Sequence, residues 1–269
     1  MKTQTLMALL AISLLLNLAG AFAVYKALRY RQAISQYQDW LQAAEGKARD
    51  AEAKLLAGNP YRAENARLIQ AAAGGKGPEV IFYGASITRN WDLAASFPGE
   101  NFVNRGMGGK LLPYLTLHFR ENVIDLHPRF VVIKTCGINM TPELPPETVR
   151  QSFMNLCQLA EANGITPIVA TMLPARAEAE SLFPGYSVSG HIREFNEWAV
   201  AYAGQHAWPV VDYYRALADE KGFLPEPLSR DPLHPSAEGY RLMAGAFRST
   251  WDRVAAEHKT TISKGGMSQ

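Results

Sequence analysis

The sequence predicts an α/β domain in which helices cover both faces of a parallel sheet of five strands. Short apolar runs alternate with helical patterns from residue 79 onward, and one run, "FVVIK", is apolar until its last residue. A strand that is apolar throughout is typical of a sheet covered on both sides. Alternating strands and helices favour parallel pairing. We therefore expect a three-layer α/β/α domain over residues 79–257.

The strands are placed by their apolar runs and the helices by apolar residues three and four apart. The candidate strands are 80–83, 102–103, 130–134, 167–171 and 209–211, and the candidate helices are 87–95, 112–124, 146–163, 191–205 and 237–257.

Composition excludes several classes of protein. The chain has 269 residues and 27 Lys and Arg against 25 Asp and Glu, a net charge of +2. This near balance provides no basic field for nucleic acid, so no nucleic-acid partner is expected. The two cysteines, Cys136 and Cys157, match no zinc spacing, and whether they pair is open. The oligomeric state is undetermined.

Residues 1–25 are predicted to be a membrane anchor or a signal segment. Residues 6–25 are uncharged and about long enough to cross a bilayer as a helix. The run Ala21-Phe22-Ala23 resembles a signal cleavage site. We favour an uncleaved transmembrane helix, because the pattern continues without a helix breaker into the polar segment beyond it.

The orientation of this segment has two interpretations. Lys26, Arg29 and Arg31 come directly after it, which by charge alone puts the remainder of the chain in the cytoplasm. A signal-like segment at the N-terminus instead sends the remainder of the chain across the membrane. We expect a single-pass membrane protein whose main domain is periplasmic or otherwise extracytoplasmic.

Residues 26–78 are predicted to form a helical stalk and linker. Apolar or small residues recur there at a heptad-like spacing, which fits a weak coiled coil or a helix lying on the domain. These residues are Ile34, Tyr37, Leu41, Ala44, Ala48, Ala51 and Leu55. The polar tail, residues 258–269, is expected to be disordered.

A serine, Ser86, comes directly after the first strand in "VIFYGASIT". Ligands of parallel sheets bind outside the carboxyl ends of the strands, so this serine is well placed for chemistry. A seryl hydroxyl becomes a strong nucleophile only when a base takes its proton and donors stabilise the oxyanion. A catalytic Ser86 therefore requires a base and donors at the other strand ends.

Among six histidines, His234 is the best candidate base. In "RDPLHPSAEGY", Asp231 precedes it by three residues, and the prolines stiffen the loop. A carboxylate beside an imidazole fixes its tautomer and stabilises the imidazolium. For the oxyanion, "VNRGMGGK" offers backbone N–H groups after the second strand, and Asn139 in "KTCGINM" offers a side-chain amide after the third.

These four stretches, in this order, resemble the four signature blocks of the SGNH/GDSL hydrolase family. By motif, Ser86 matches the nucleophile, Gly109 in "RGMGGK" the oxyanion-hole glycine and Asn139 the oxyanion-hole asparagine, with Gly106 and Gly108 as alternatives for the glycine. Asp231 and His234 in "DPLH" match the acid and the base. The resemblance implies an SGNH-hydrolase or flavodoxin-like fold and serine-based ester hydrolysis without a cofactor.

The chain departs from the family pattern at two positions. Ala85 replaces the aspartate of Gly-Asp-Ser, and Lys110 replaces an aspartate that often comes after the glycine pair. Lys110 either attracts an anionic substrate or is simply solvated. Near the site, Trp91, Phe183 and Tyr186 either line a substrate pocket or pack in the core.

Three functions are consistent with these residues. The first is a membrane-tethered serine esterase that hydrolyses O-acetyl or other short-chain esters of a carbohydrate or lipid through a Ser86 acyl-enzyme. The second is an envelope glycan O-acyltransferase with the same site. The third is a non-catalytic membrane-tethered binding module, against which the retention of all five site residues argues. We expect the esterase.

Overall fold

The computed structural model describes residues 2–74 and 77–265. The chain divides into two compact units, residues 1–58 and 59–269. In the first unit, helix α1 runs from Lys2 to Ala57. The helix predicted from the heptad-like spacing is therefore present, whereas the coiled coil stays a prediction.

The transmembrane helix predicted for residues 1–25 is not supported. Over the residues that the structure describes, no helix combines the length and the apolarity needed to cross a membrane.

The second unit contains the predicted sheet. Strands β1 (Val80–Gly84), β2 (Phe102–Gly106), β3 (Phe130–Lys134), β4 (Thr166–Ala170) and β5 (Val210–Val211) form one parallel sheet in the order β2-β1-β3-β4-β5. The three-layer α/β/α fold is thereby confirmed. Strand β3 is central, and β1 lies between β2, an edge strand, and β3.

Helices fill both faces of the sheet. These helices are α2 (Arg62–Ala73), α3 (Ser86–Arg89), α4 (Leu93–Ser96), α5 (Leu112–Leu117), α6 (Phe119–Asn122), α7 (Pro146–Ala162), α8 (Val188–Gln205), α9 (Tyr213–Leu217) and α10 (Ala237–Gly265). Alternate residues of each strand enter different apolar clusters: Ile81 and Tyr83 pack on one face, Val80 and Phe82 on the other.

The helix predicted for residues 87–95 is divided in two. Its second half begins anew at Asp92, whose carboxylate accepts a hydrogen bond from the Ala95 backbone N–H at 2.9 Å. An aspartate with this hydrogen bond marks the start of a new helix, so the predicted helix is interrupted before Leu93. The helix predicted for residues 112–124 is likewise split, into α5 and α6, and is succeeded by a 3₁₀ turn at Ile124–Leu126.

Two segments differ from the domain boundaries expected from the sequence. Helix α2, placed by the sequence in the stalk and linker, belongs to the compact unit that starts at Asn59. The tail was expected to be disordered, but α10 continues to Gly265. The physical reason is that no glycine or proline interrupts the chain between residues 258 and 264. Residues 266–269 lie outside the described part of the chain.

Candidate active site

The ends of β1, β2 and β3 meet at one edge of the sheet. In the strand registers, Gly84 lies between Gly106 of β2 and Lys134 of β3. The turn that carries Ser86, the glycine-rich segment after Gly106 and the loop to Asn139 therefore start side by side. This is the arrangement that the sequence predicts for the candidate site.

Ser86 occupies the first position of helix α3, separated from the end of β1 by Ala85 alone. Its Oγ is 2.8 Å from Nε2 of His234, although the two residues are 148 positions apart in the chain. The side chain is partly accessible to solvent. The serine and the candidate base are thus brought together at hydrogen-bond distance.

The Asp231 carboxylate lies on the other side of the imidazole. The Nδ1 atom of His234 is 2.8 Å from Asp231 Oδ1 and 3.0 Å from Oδ2. Burial acts to raise the pKa of this carboxyl, but hydrogen bonds from the Leu233 backbone, the His234 side chain and the His234 backbone outweigh it and lower the pKa. The carboxylate is thereby favoured in its ionised form and orients the ring, an arrangement that suits proton transfer from a serine.

A short turn fixes this pair. The backbone N–H groups of Leu233 and His234 both donate to Asp231 Oδ1, at 3.1 and 2.9 Å. The Arg230 N–H donates to the His234 carbonyl at 2.9 Å, and Ser229 and Pro235 form an isolated bridge. The spacing of three residues between Asp231 and His234 therefore produces a closed loop in which the carboxylate reaches both the backbone and the ring.

Asn139 is buried, and its amide is oriented by two hydrogen bonds. Its Oδ1 accepts from the Leu112 backbone N–H at 2.8 Å, and its Nδ2 donates to the Cys136 carbonyl at 3.0 Å. An amide nitrogen carries two protons, so the second remains for a ligand. The predicted oxyanion donor is therefore held in a defined orientation.

The structure separates the three glycines that the sequence left as alternatives. The Gly106 N–H already donates to Asn104 Oδ1 at 2.9 Å, so it cannot serve a ligand. Gly109 has φ +70°, a backbone conformation that glycine adopts without strain. No atom lies within 4 Å of where a Cβ on Gly109 would be, so the backbone is open at that residue. Gly109 remains the best candidate donor.

Gly106 and Gly108 both allow close approach of the turn that carries Ser86. A Cβ on Gly106 would lie 2.1 Å from the Arg89 backbone nitrogen. A Cβ on Gly108 would lie 2.4 Å from Cζ of the Arg89 guanidinium. The glycine-rich segment is thus pressed directly against α3.

The aromatic residues proposed for the rim have different positions. Trp91 is only 4% exposed and packs with Phe82, Phe97 and Tyr213 in one of the two core clusters. The core interpretation therefore applies to Trp91. Phe183 and Tyr186 are half-buried against the other cluster, and Tyr186 stacks on His191 at 4.1 Å.

The cysteines are free and belong to opposite clusters, so they do not pair. Lys110 lies with its Nζ 4.3 Å from the centre of the Tyr114 ring.

Sequence reasoning missed two side chains that support the site. Asn104, in the middle of β2, donates from Nδ2 to the Thr88 and Trp91 carbonyls at 2.6 and 3.0 Å. Tyr61, just before α2, donates from its hydroxyl to the Gly106 carbonyl at 2.6 Å. Asn104 could have been found as a polar residue within a predicted strand region, whereas no local pattern indicates the contact of Tyr61.

A serine, an imidazole and a carboxylate in one hydrogen-bonded series are typical of a serine hydrolase, and here they lie at the carboxyl edge of a parallel sheet. Residues 71–242 match the GDSL-like Lipase/Acylhydrolase family, and the chain belongs to that family. It is an enzyme that hydrolyses ester bonds.

Solved structures agree with this assignment. A GDSL-like lipase from Bacteroides thetaiotaomicron is 27% identical, with a TM-score of 0.65, over 72% of this chain and 96% of that one. A candidate acylhydrolase from Bacteroides fragilis is 27% identical, with a TM-score of 0.64, over 74% of this chain and 97% of that one. A mutant of an acetyl-xylooligosaccharide esterase from Geobacillus shares the fold, with 20% identity, a TM-score of 0.52 and coverage of 64% and 92%. No curated protein matches the sequence.

Proposed function

We propose that the chain is a serine esterase that hydrolyses short-chain acyl esters, O-acetyl esters among them, through an acyl-enzyme on Ser86. The observation that carries the proposal is the continuous series of short contacts from Ser86 Oγ through the His234 ring to Asp231. A hydroxyl in such a series loses its proton as it attacks a carbonyl.

The first half-reaction forms the acyl-enzyme. His234 Nε2 takes the Ser86 proton while Oγ bonds to the acyl carbon, and the carbonyl electrons move onto oxygen. The resulting oxyanion accepts hydrogen bonds from the Ser86 and Gly109 backbone N–H groups and from the second proton of Asn139 Nδ2. The Ser86 N–H is free for this because it opens a helix, where N–H groups have no intrahelical acceptor. Collapse of the intermediate expels the alcohol, which receives its proton from His234.

The second half-reaction regenerates the enzyme. Water attacks the acyl carbon while His234 takes one of its protons, and the same donors stabilise the second oxyanion. Collapse releases the carboxylic acid and returns the proton to Ser86 Oγ. One ester and one water are consumed for each acid and alcohol formed.

A short acyl group is supported by crowding beside Gly137, two residues before Asn139. A Cβ on Gly137 would lie 3.2 Å from Leu233 Cδ2 and 3.8 Å from Ile192 Cδ1. Leu233 directly precedes the candidate base, so this side of the site leaves little room for a long chain. Hydrolysis of 4-nitrophenyl esters of two to twelve carbons by the full chain tests both parts of the proposal.

In that experiment we expect kcat/KM to be greatest for the shortest esters. Replacement of Ser86 by Ala is expected to lower kcat by several orders of magnitude, as loss of the nucleophile requires. Greater activity on the longest esters would refute the short-chain preference. Full activity in S86A would refute the mechanism.

For location, we propose that the hydrolase domain functions outside the cytoplasm. The support is in the sequence alone, where an apolar run over residues 6–18 leads into Ala21-Phe22-Ala23. Fractionation of cells that produce the full chain tests this, with an active-site probe as the readout. Labelled protein confined to the cytoplasmic fraction would refute it.

A further inference from the structure

The guanidinium of Arg89 lies across the segment that precedes the candidate oxyanion donor. Arg89 is three residues after Ser86, and its backbone N–H donates to the Ala85 carbonyl at 2.9 Å, which fixes the turn. A Cβ on Gly108 would be 2.4 Å from both Cζ and Nη1 of Arg89. The absence of a side chain at Gly108 thus makes room for this cation next to Gly109.

This guanidinium is available to a ligand. Arg89 is exposed, and its Nε donates one long hydrogen bond, 3.3 Å, to Asn90 Oδ1. Within residues 2–74 and 77–265, no carboxylate forms an ion pair with it. Many other arginines of the same unit have such partners, among them Arg105 with Glu64 and Arg176 with Glu178.

A second cation borders the same segment. Lys110 directly follows Gly109, and its Nζ packs over the Tyr114 ring. No carboxylate of the described chain forms an ion pair with Lys110 either. The nearby Asp231 carboxylate is already engaged by His234, and Arg230 is 3.5 Å from the same carboxylate. Two cations, Arg89 beside Gly108 and Lys110 directly after Gly109, thus border the glycine pair without a carboxylate partner among the described residues.

We propose that Arg89, assisted by Lys110, binds an anionic group of the substrate close to the scissile ester. This inference rests on the proposed function and names the substrate class of that site. A planar guanidinium donates two parallel hydrogen bonds to a carboxylate or a phosphate, so the shared chemistry is an oxyanion. Because Gly108 adjoins Gly109, that oxyanion belongs only a few bonds from the carbonyl that Ser86 attacks.

The test compares pairs of esters, one neutral and one anionic. For an anion on the acyl side, the pair is 4-nitrophenyl pentanoate and mono-4-nitrophenyl glutarate. For an anion on the alcohol side, the pair is glycerol acetate and the acetate of glycerol 3-phosphate, with acetate release as the readout. Rates with S86A are subtracted, which removes spontaneous hydrolysis. The proteins are the full chain, R89Q, R89K and the matched control R215Q, whose arginine is also exposed but lies beyond β5.

We expect one anionic ester to be preferred over its neutral partner by about tenfold in kcat/KM, as a charge-assisted hydrogen bond allows. That ratio should approach one in R89Q, recover in part in R89K and persist in R215Q. It should also decrease as ionic strength increases. Preference on the acyl side identifies a dicarboxylic acyl group, and preference on the alcohol side identifies a phosphorylated alcohol.

The inference is overturned if neither anionic ester is preferred while the neutral esters are hydrolysed. It is also overturned if the preference persists in R89Q, or disappears equally in R215Q. Absence of turnover on all four esters, with no labelling of Ser86 by a fluorophosphonate, instead refutes the proposed function itself. Circular dichroism of each variant verifies that it is folded.

Discussion

The hydroxyl of Tyr61 connects a helix at the start of the domain to the segment that supplies the candidate oxyanion donor. It donates to the Gly106 carbonyl at 2.6 Å, and the ring lies 4.6 Å from the Arg105 guanidinium carbon. Burial raises the pKa of the Tyr61 phenol, so it remains a donor at neutral pH. The substitution Y61F removes this hydrogen bond and leaves the aromatic ring on Arg105.

The expected loss has two components. The Gly106 carbonyl is left without this partner, which costs about 1–3 kcal/mol of unfolding free energy if no water replaces it. For a domain of this size, each kcal/mol lowers the melting temperature by about 2–4 °C. Displacement of the Gly106–Gly109 segment should also weaken oxyanion stabilisation. We expect kcat to decrease by about tenfold, or ~1.4 kcal/mol, which is less than the loss of a complete donor.

The control is Y214F. The Tyr214 hydroxyl also donates to a glycine carbonyl, that of Gly222 at 2.9 Å, but beyond strand β5 at the opposite end of the sheet from β2. Melting temperature and kcat on a short-chain 4-nitrophenyl ester are measured for both variants. We expect both proteins to be less stable and only Y61F to have a lower kcat. Equal kcat in Y61F and Y214F would refute the positioning function of Tyr61.

Three further outcomes are expected from the geometry. G109A should lose about 1–2 kcal/mol of unfolding free energy, because alanine is strained in the left-handed conformation, and should remain folded. In G106A the new Cβ would collide with the Arg89 backbone, so this variant should misfold or lose activity. Equal melting curves for the two variants would contradict this. D231N should lower kcat by about 10³–10⁴-fold at neutral pH. Because the folded-state pKa of Asp231 is lowered, its stabilisation is present above the unfolded pKa, and the stability difference from D231N should disappear as the pH falls below about 4. Burial lowers the pKa of Lys134, so the unfolded chain binds more protons than the folded one, and the unfolding free energy should rise with pH toward about 10. We therefore expect K134M to be more stable than the original protein at pH 7. Denaturant unfolding of both proteins at pH 7 and at pH ~10 checks whether this difference decreases at the higher pH.

The strands, and the approach of Ser86, His234 and Asp231 to one another, were predictable because their signals are local. The run "FVVIK" is apolar on both faces, and it forms β3 over the predicted residues. Ser86 and the pair Asp231 and His234 each come after a recognisable break in pattern, and the rule for parallel sheets brings strand ends to one edge. Boundaries were less accurate where a polar side chain caps a new helix, as Asp92 does.

The supports of the site were not predictable, because they depend on contacts between distant segments. The hydrogen bond from Tyr61 to the Gly106 carbonyl joins residues 45 positions apart, and no pattern in either segment predicts it. The choice of Gly109 over Gly106 depended on Asn104, which engages the Gly106 N–H only once β2 and its turn are folded. The sequence around Trp91 is compatible with a pocket wall and with the core, and only the burial of its side chain in the structure shows that it lies in the core.

The distance along the chain between Ser86 and His234 has a consequence for biosynthesis. These two residues are separated by 148 positions, so Ser86 is synthesised roughly 7–30 seconds before His234 at ordinary translation rates. The glycine-rich segment and Asn139 are already complete in that interval. Phe247 of α10 packs on Phe82 of β1, so the core beneath Ser86 is completed only after His234 has been made. With the proposed function, hydrolysis can begin only after the loop that carries His234 has left the ribosome and docked.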